Sequence, residues 1–568
     1  MRRTHRALAC AVLGSVVIGA ALEARAQVPR PSLHRRIPHP GLALSGEDAE
    51  GATFGWSMIM ADVGGPDAND DLVIASVNSD KFLGHGSTIV ECGSAWLMSG
   101  GSLTLDTTNP KIEHSSPEDS QQFGTFTPSA GSVDGSSTWT FIGAIGTDVT
   151  FPGYTGVVPN AGTVEVFDLA AAGPPLMSLI APIASNEPSQ APSAPPVAVG
   201  LFGHSVAIGD VNQDGYGDLV VGAPYSDQFK GRVYLFFGDA TGSLSTWIGL
   251  QSPVTTSKED FGVSVMATDL DDDGHAEILV GASDRHSTTT PQGAGRTHIY
   301  DWGDLAALST GALHVVTPSQ TIEPPNGFKT PAGWFGWTMF DLGEIGGYSY
   351  PNGRGDIAVH AEATDAGSTP FAGALFVFNA WDAGQPHASN EPYVDSVPVV
   401  LQTPTITSGS VTVHAPQTGG RFGRGCATAE WTGATGNPVR ALFVGEPDAD
   451  VQNPDDPLFP NSTPIYGAGR VFAYLAPIRP VSTNAWGTYV LLEPADSLAE
   501  GGGAATLQPQ LAVSNTGRPQ ASARFGAWIV SGHYNPGLTK GQIAICARER
   551  TLQHKLEVGQ VYTFVWPQ

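Results

Sequence analysis

The chain has 568 residues, including 70 glycines and 44 prolines, and a formal net charge of −27. This length exceeds one ordinary hydrophobic core, so several domains or a repeat architecture are expected. The acidic balance argues against nucleic acid as a partner. The turn-rich composition, with no long helical pattern, favours an all-β chain.

Arg2, Arg3 and Arg6 precede an apolar run from Ala7 to Leu22, and Ala24-Arg25-Ala26 follows as a small-residue cleavage site. Residues 1–26 therefore read as a secretory signal peptide, cleaved near Ala26 to release a secreted protein, extracellular or periplasmic. Its removal takes away four arginines and one glutamate and leaves a net charge of −30. No later stretch is long and apolar enough to span a membrane. Residues 27–40 read as a linker. Three cysteines remain, Cys92, Cys426 and Cys546, so at most one disulfide can form.

From residue 41 onward one pattern recurs. A Phe-Gly pair stands at Phe54, Phe123, Phe202, Phe261, Phe335, Phe422 and Phe525. A hydroxyl follows two residues after the glycine at Ser57, Ser205, Ser264 and Thr338. A polar loop then leads into a β-rich run, such as DLVIAS (71–76), DLVVGAP (218–224) and EILVGAS (277–283). A glycine and an aromatic alternation come next, as in GRVYLFF (231–237), GALFVFN (373–379) and GQVYTFV (559–565). A fourth apolar run completes most units: STWIGLQSP (245–253), LHVVTP (313–318), PVVLQTP (398–404) and TYVLLEP (488–494). Period-2 alternation between turn residues predicts four short strands per unit. Seven such units suggest radial blades, because one sheet cannot bury both of its faces alone. The last unit stops after its third strand, while the apolar run GLALSG (41–46) precedes the first Phe-Gly. That N-terminal run is expected to complete the last blade and close the ring.

The pattern F-G…D-x-[DN]-x-D-G…[DE]-L-V-V-G-A-P…G-x-V-Y-x-F resembles the FG-GAP repeat of integrin α subunits and of many bacterial exported proteins. The resemblance covers roughly residues 41–568, with units three and four matching best. It implies a seven-bladed β-propeller, calcium in some inter-strand loops, and use as an adhesion or ligand-binding module.

Two loops carry the metal signal on their own residues. Asp210, Asn212, Asp214 and Asp218 hold positions 1, 3, 5 and 9 of one, with Tyr216 offering its carbonyl at position 7. Asp269, Asp271, Asp273 and Glu277, with His275 at position 7, repeat this in the next unit. Closely spaced hard oxygens suit Ca2+, and Gly215 and Gly274 permit the sharp turn. An EF-hand is the rival, but position 12 is Val221 or Val280 where a glutamate belongs. A looser set, Asp62, Asp67, Asn69 and Asp71, marks the first unit. The other four units lack the oxygen pattern and are expected to hold no ion.

Several motifs have plainer explanations. Gly203-His204-Ser205 resembles a nucleophile elbow, but the serine recurs as Ser57 and Ser264 and belongs to the repeat. Arg354-Gly355-Asp356 spells an integrin-recognised tripeptide, yet Asp356 aligns with Asp218. Trp56 and Trp337 follow Phe-Gly pairs and read as blade packing.

The connections between strands two and three, and from strand four to the next blade, should emerge opposite the calcium loops. The long insertions fall there, with Phe82, Phe151, Tyr154, Tyr225, Phe459 and Tyr466 as exposed ligand candidates. The expectation is a monomeric exported module that recognises an extracellular protein or polysaccharide and is not an enzyme. The alternatives are a propeller-based polysaccharide lyase or hydrolase, a structural extracellular protein, and the ligand-binding head of a larger surface complex.

Overall fold

The computed structural model describes residues 32–42, 51–183, 200–329, 333–403, 406–450, 466–475, 523–549 and 557–565. Short gaps within these fall at 65–66, 85–86, 127, 153, 172, 255–257, 287–292, 344, 346–354, 381–391, 409–410, 415, 433–437 and 535–540. The signal-peptide segment and the run 488–494 lie outside them.

Seven antiparallel sheets follow one another along the chain and form a β-propeller. Blade three shows the plan: Ser205–Gly209, Asp218–Ala223, Arg232–Phe237 and Thr246–Gln251 pair in sequence order. Every residue of the second strand is buried in blades one to five and in blade seven, because it lies mid-sheet and between neighbouring blades. Seven apolar clusters fill the seven blade-to-blade interfaces. One joins Phe141 and Val164 of blade two to Phe202 and Tyr234 of blade three, and another joins Phe54 and Trp96 of blade one to Cys546 and Val561 of blade seven. The ring is therefore continuous, and each blade depends on its neighbours for burial.

The recurring glycines are where one blade's backbone meets the next. All seven Phe-Gly phenylalanines are fully buried. The amide of each donates to a carbonyl just before the third strand of the preceding blade, as in Phe202 to Ala161 and Phe261 to Lys230. The glycine that starts that third strand has no room for a side chain. A Cβ at Gly231 would lie 2.1 Å from the Phe261 carbonyl oxygen. The glycine of the second strand abuts the next Phe-Gly in the same way: a Cβ at Gly222 would lie 2.1 Å from Gly262 O, and one at Gly281 2.1 Å from Gly336 O. The serine hydroxyls complete the joint, Ser57 donating to Gly124 O, Ser205 to Gly262 O and Ser264 to Gly336 O. Ser205 is thus a staple between blades.

Three expectations need correction. The strand that closes blade seven is Ser32–Pro38, antiparallel to Gln560–Val565, so residues 32–38 of the expected linker are part of the propeller. The expected run 41–46 begins instead in a 3-10 turn, Pro40–Leu42. In blade four the fourth strand is Gln320–Ile322, whereas Leu313–Val315 pairs parallel to Thr246–Gln251 and widens blade three. The three cysteines are buried thiols, in blades one, six and seven.

Candidate cation loops and channel mouth

The loops between strands one and two of blades three and four share one backbone course. Gln213 and Asp272 at position 4 take left-handed φ values of 56° and 59°, and Gly215 and Gly274 at position 6 take 88° and 92°. The bend folds the first carboxylate over its own loop. Asp210 accepts the amides of Asp214 and Gly215, and Asp269 accepts those of Asp273 and Gly274. Asp269, Asp271 and Asp273 bring one oxygen each to within 4.8 Å of one another, the only such group among the described residues. Asn212 and Asp214 are joined by a 2.9 Å side-chain hydrogen bond. Tyr216 and His275 point their amides back at position 5. The donors are hard oxygens, several charged, on a tight loop, and they fit a divalent cation.

Position 9 has a second use. Asp218 accepts the amides of Val211 and Gly238, tying the loop to the turn after strand three, and Glu277 accepts that of Leu270. Burial pushes the Asp218 carboxyl up to about 7, and the Asp214 and Asp210 charges add to this. Burial pushes Glu277 up to about 9, with Asp271, Asp269 and Asp273 adding. Asp71 of blade one accepts from Val63, Gly64 and Gly100. Asp62 and Asp67 stand exposed in that loop, and Asp67 caps the amide of Asn69. Asp356 also accepts two amides, from Ile345 and Ala380, in a blade with no oxygen pattern. The aspartate of Arg354-Gly355-Asp356 is thus a fully buried strand residue.

The first strands of the blades line a central cavity of about 660 Å3. Its walls are apolar, formed by Met58, Val206, Met266 and Ile529 among others. The end at which each first strand begins is ringed by the residues just after the Phe-Gly pairs: Trp56, Phe126, His204, Trp337, Arg424 and Trp528. Arg285 and Arg548, just past second strands, reach the same mouth. The Arg548 guanidinium lies 4.1 Å from the Trp56 ring centre. That of Arg285 lies 4.9 Å from the ring of Trp334 and 5.2 Å from that of Trp337. These distances are in the cation–π range. His204 is buried against Phe126 at 3.5 Å, with Nδ1 2.9 Å from Val263 O. Burial holds its imidazole down at about 3.

Of the ligand candidates, Tyr225 lines this mouth and Tyr466 is exposed. Phe151 is buried, only 2% exposed, in the core between blades two and three, which overturns its assignment to a free surface. Tyr154 is half-buried against the same core. Phe459 and the side chain of Phe82 lie outside the described residues. Trp56 and Trp337 line the cavity as well as joining blades; Trp56 Nε1 donates across to Thr125 O. Their offset from each Phe-Gly, shared by His204 and Arg424, was the available signal, but only the closed ring shows that these four blades aim it at one point.

Seven blades joined at Phe-Gly pairs, six with at least four strands and blade six with three among the described residues, define a β-propeller. The FG-GAP repeat matches this chain at residues 202–236 and 261–300, which are blades three and four. The chain is similar to integrin alpha-5 of Xenopus laevis, 33% identical over 186 residues that make up 32% of this chain and 15% of that one. It is also similar to mouse integrin alpha-IIb, 41% identical over 87 residues, 15% and 8% of the two chains. The chain therefore spans a small part of the length of these relatives. A solved structure titled "Structure of Dos1 propeller" covers 94% of this chain and 95% of its own at 10% identity, with a TM-score of 0.38. No helix among the described residues is long and apolar enough to cross a membrane.

Proposed function

We propose that the protein is an exported, calcium-stabilised propeller that recognises an extracellular protein or polysaccharide. The observation that carries this is the aromatic and arginine-ringed mouth of a channel held open by a closed ring. Binding groups on loops of a rigid scaffold are the usual form of a recognition site. The likeness to integrin α chains supports the adhesion role. In blade four Asp269, Asp271 and Asp273 would hold the cation, and in blade three Asp210, Asn212 and Asp214. The bound cation would offset the mutual repulsion of these carboxylates and stiffen both loops.

A second reading, a polysaccharide lyase, is favoured by one cluster at the mouth. Tyr225 stands 5.1 Å from the His286 ring and shares the cavity wall with Arg285. Against it, His286 is committed to Asp260, with Nδ1 2.6 Å from its carboxylate. Glu259 is likewise held by Ser252 and Arg296. The test is retention of the purified protein on polysaccharides and cell-surface extracts, in calcium and in EDTA, with the supernatant assayed for cleaved sugar. Calcium-dependent retention without cleavage is expected. Cleaved product would establish the lyase, and absence of retention would refute recognition.

A further inference from the structure

The channel mouth carries charge opposite to that of the molecule. The chain stands at −27, yet its central cavity is lined by Arg285, Arg424 and Arg548 and, among the described residues, by one carboxylate, Asp341. Asp341 is far from the mouth, near the end of the strand Phe335–Gly343, and accepts hydrogen bonds from Gly343 and Thr268. Arg424 is neutralised by Glu362, 3.0 Å away. The other two cations are matched more loosely: Arg285 acts on the buried Asp260, which is already bonded to His286, and Arg548 on Glu549. Arg548 is only 3% exposed, its Nε meets no hydrogen-bond acceptor, and Glu549, 3.6 Å off, is shared with Arg524. Burial pulls the Arg548 guanidinium down to about 9, and the nearby Arg424 and Arg524 add to this. Arg285 is exposed and lies over Trp334 and Trp337. A guanidinium stacked on a ring keeps its N–H edge for an oxyanion, which it can grip with two parallel bonds.

We propose that this mouth binds a carboxylate-bearing saccharide. Arg285 and Arg548 take the carboxylate, and the rings of Trp56, Phe126 and Trp337 take the faces of the sugar. This assignment rests on the recognition role proposed above and names its ligand class. A cavity of about 660 Å3 suits a segment of a few sugar units. An acidic peptide fits less well. Its amides would need acceptors, but the mouth offers ring faces and donors, and the Thr125 carbonyl is already taken by Trp56.

The full chain is titrated with tetragalacturonate, with a neutral galactose tetramer and with a tetraglutamate peptide, following tryptophan emission. The acidic tetramer should give a saturable change, bind at least about ten-fold more tightly than either control, and weaken in high salt. Replacing buried Arg548 risks misfolding, so the deciding variant is the exposed Arg285→Gln. It should lose about ten-fold in affinity with an unchanged unfolding midpoint. Equal binding of acidic and neutral sugars, preference for the peptide, or an unaffected Arg285→Gln would overturn the proposal. Retention on another ligand through any of those results would leave the recognition role standing; no retention at all would remove both.

Discussion

Replacing Gly281 by alanine tests whether the blades are joined backbone to backbone. The glycine lies in the second strand of blade four, and its φ is not in the left-handed region, so crowding acts alone. The added Cβ would lie 2.1 Å from Gly336 O and 2.3 Å from Ser264 Oγ. Carbon–oxygen contacts need more than about 3 Å, so blades four and five must part by roughly 1 Å. Overpacking of this kind costs about 1–3 kcal/mol. The parting also strains the 2.7 Å bond from Ser264 Oγ to Gly336 O, which contributes about 1 kcal/mol. A loss of about 2–4 kcal/mol is expected, read as a lower midpoint in urea unfolding followed by tryptophan emission. Gly173→Ala is the control, with nothing within 4 Å of the added atom. Blade one already places Ala75 at the equivalent position, so Ala75→Gly should cost less than about 1 kcal/mol. A Gly281→Ala protein within about 0.5 kcal/mol of the parent would refute the backbone joint.

Calcium should raise the thermal midpoint. With dissociation constants of about 10⁻⁴ to 10⁻³ M, about 10 mM calcium stabilises by about 1.4–2.7 kcal/mol per site. Asp271→Asn should remove the share of blade four, and a midpoint indifferent to both calcium and EDTA would argue against the loops as cation sites. Acid should cost stability through buried imidazoles: burial holds His204 at about 3 and His298 and His360 at about 4. Their folded values lie below the unfolded one near 6.5, so this stability is present above pH 6.5 and is lost as pH falls toward 4, at up to about 1.4 kcal/mol per unit per group. The raised carboxyls Asp218 and Glu277 act oppositely, gaining on acidification. The clean readout is therefore parent minus His204→Phe in urea midpoints from pH 7 to 4.5; a flat difference would contradict the buried neutral imidazole. Asp356→Ala should destabilise by about 2–4 kcal/mol by orphaning the buried amides of Ile345 and Ala380. An unchanged unfolding midpoint would return Asp356 to consideration as a ligand residue.

Blade number and most strands were legible because buried strands write themselves as short apolar runs between turn residues. The closing strand was not. Ser32–Pro38 reads SLHRRIP, an outer strand in which Ile37 is the one core residue among those with described side chains. Its polar side chains mimic a linker, and the apolar GLALSG nearby was the better-looking strand. LHVVTP misled for the same reason: it is apolar enough for a strand, but the sequence does not say which blade it joins. The oxygen spacing of the cation loops was legible because it is local. That Asp218 and Glu277 also bind backbone was not, since Gly238 lies twenty residues on. The channel mouth was least legible, because its residues come from blades one, two, three, four, five, six and seven and meet only when the ring closes.

The latch of that ring has a mechanical consequence. Ser32 pairs with Val565 and Pro38 with Gln560, so the chain enters and leaves the blade-seven sheet at the same end of two neighbouring strands. Tension applied through residues 31 and 566 together would load these hydrogen bonds one at a time, as in opening a zipper, and the outer strand would peel away at low force. Tension through one end alone, opposed by a ligand in the channel, would bypass much of the latch. A tether on one side only would therefore let the propeller hold a ligand under flow without opening its own ring.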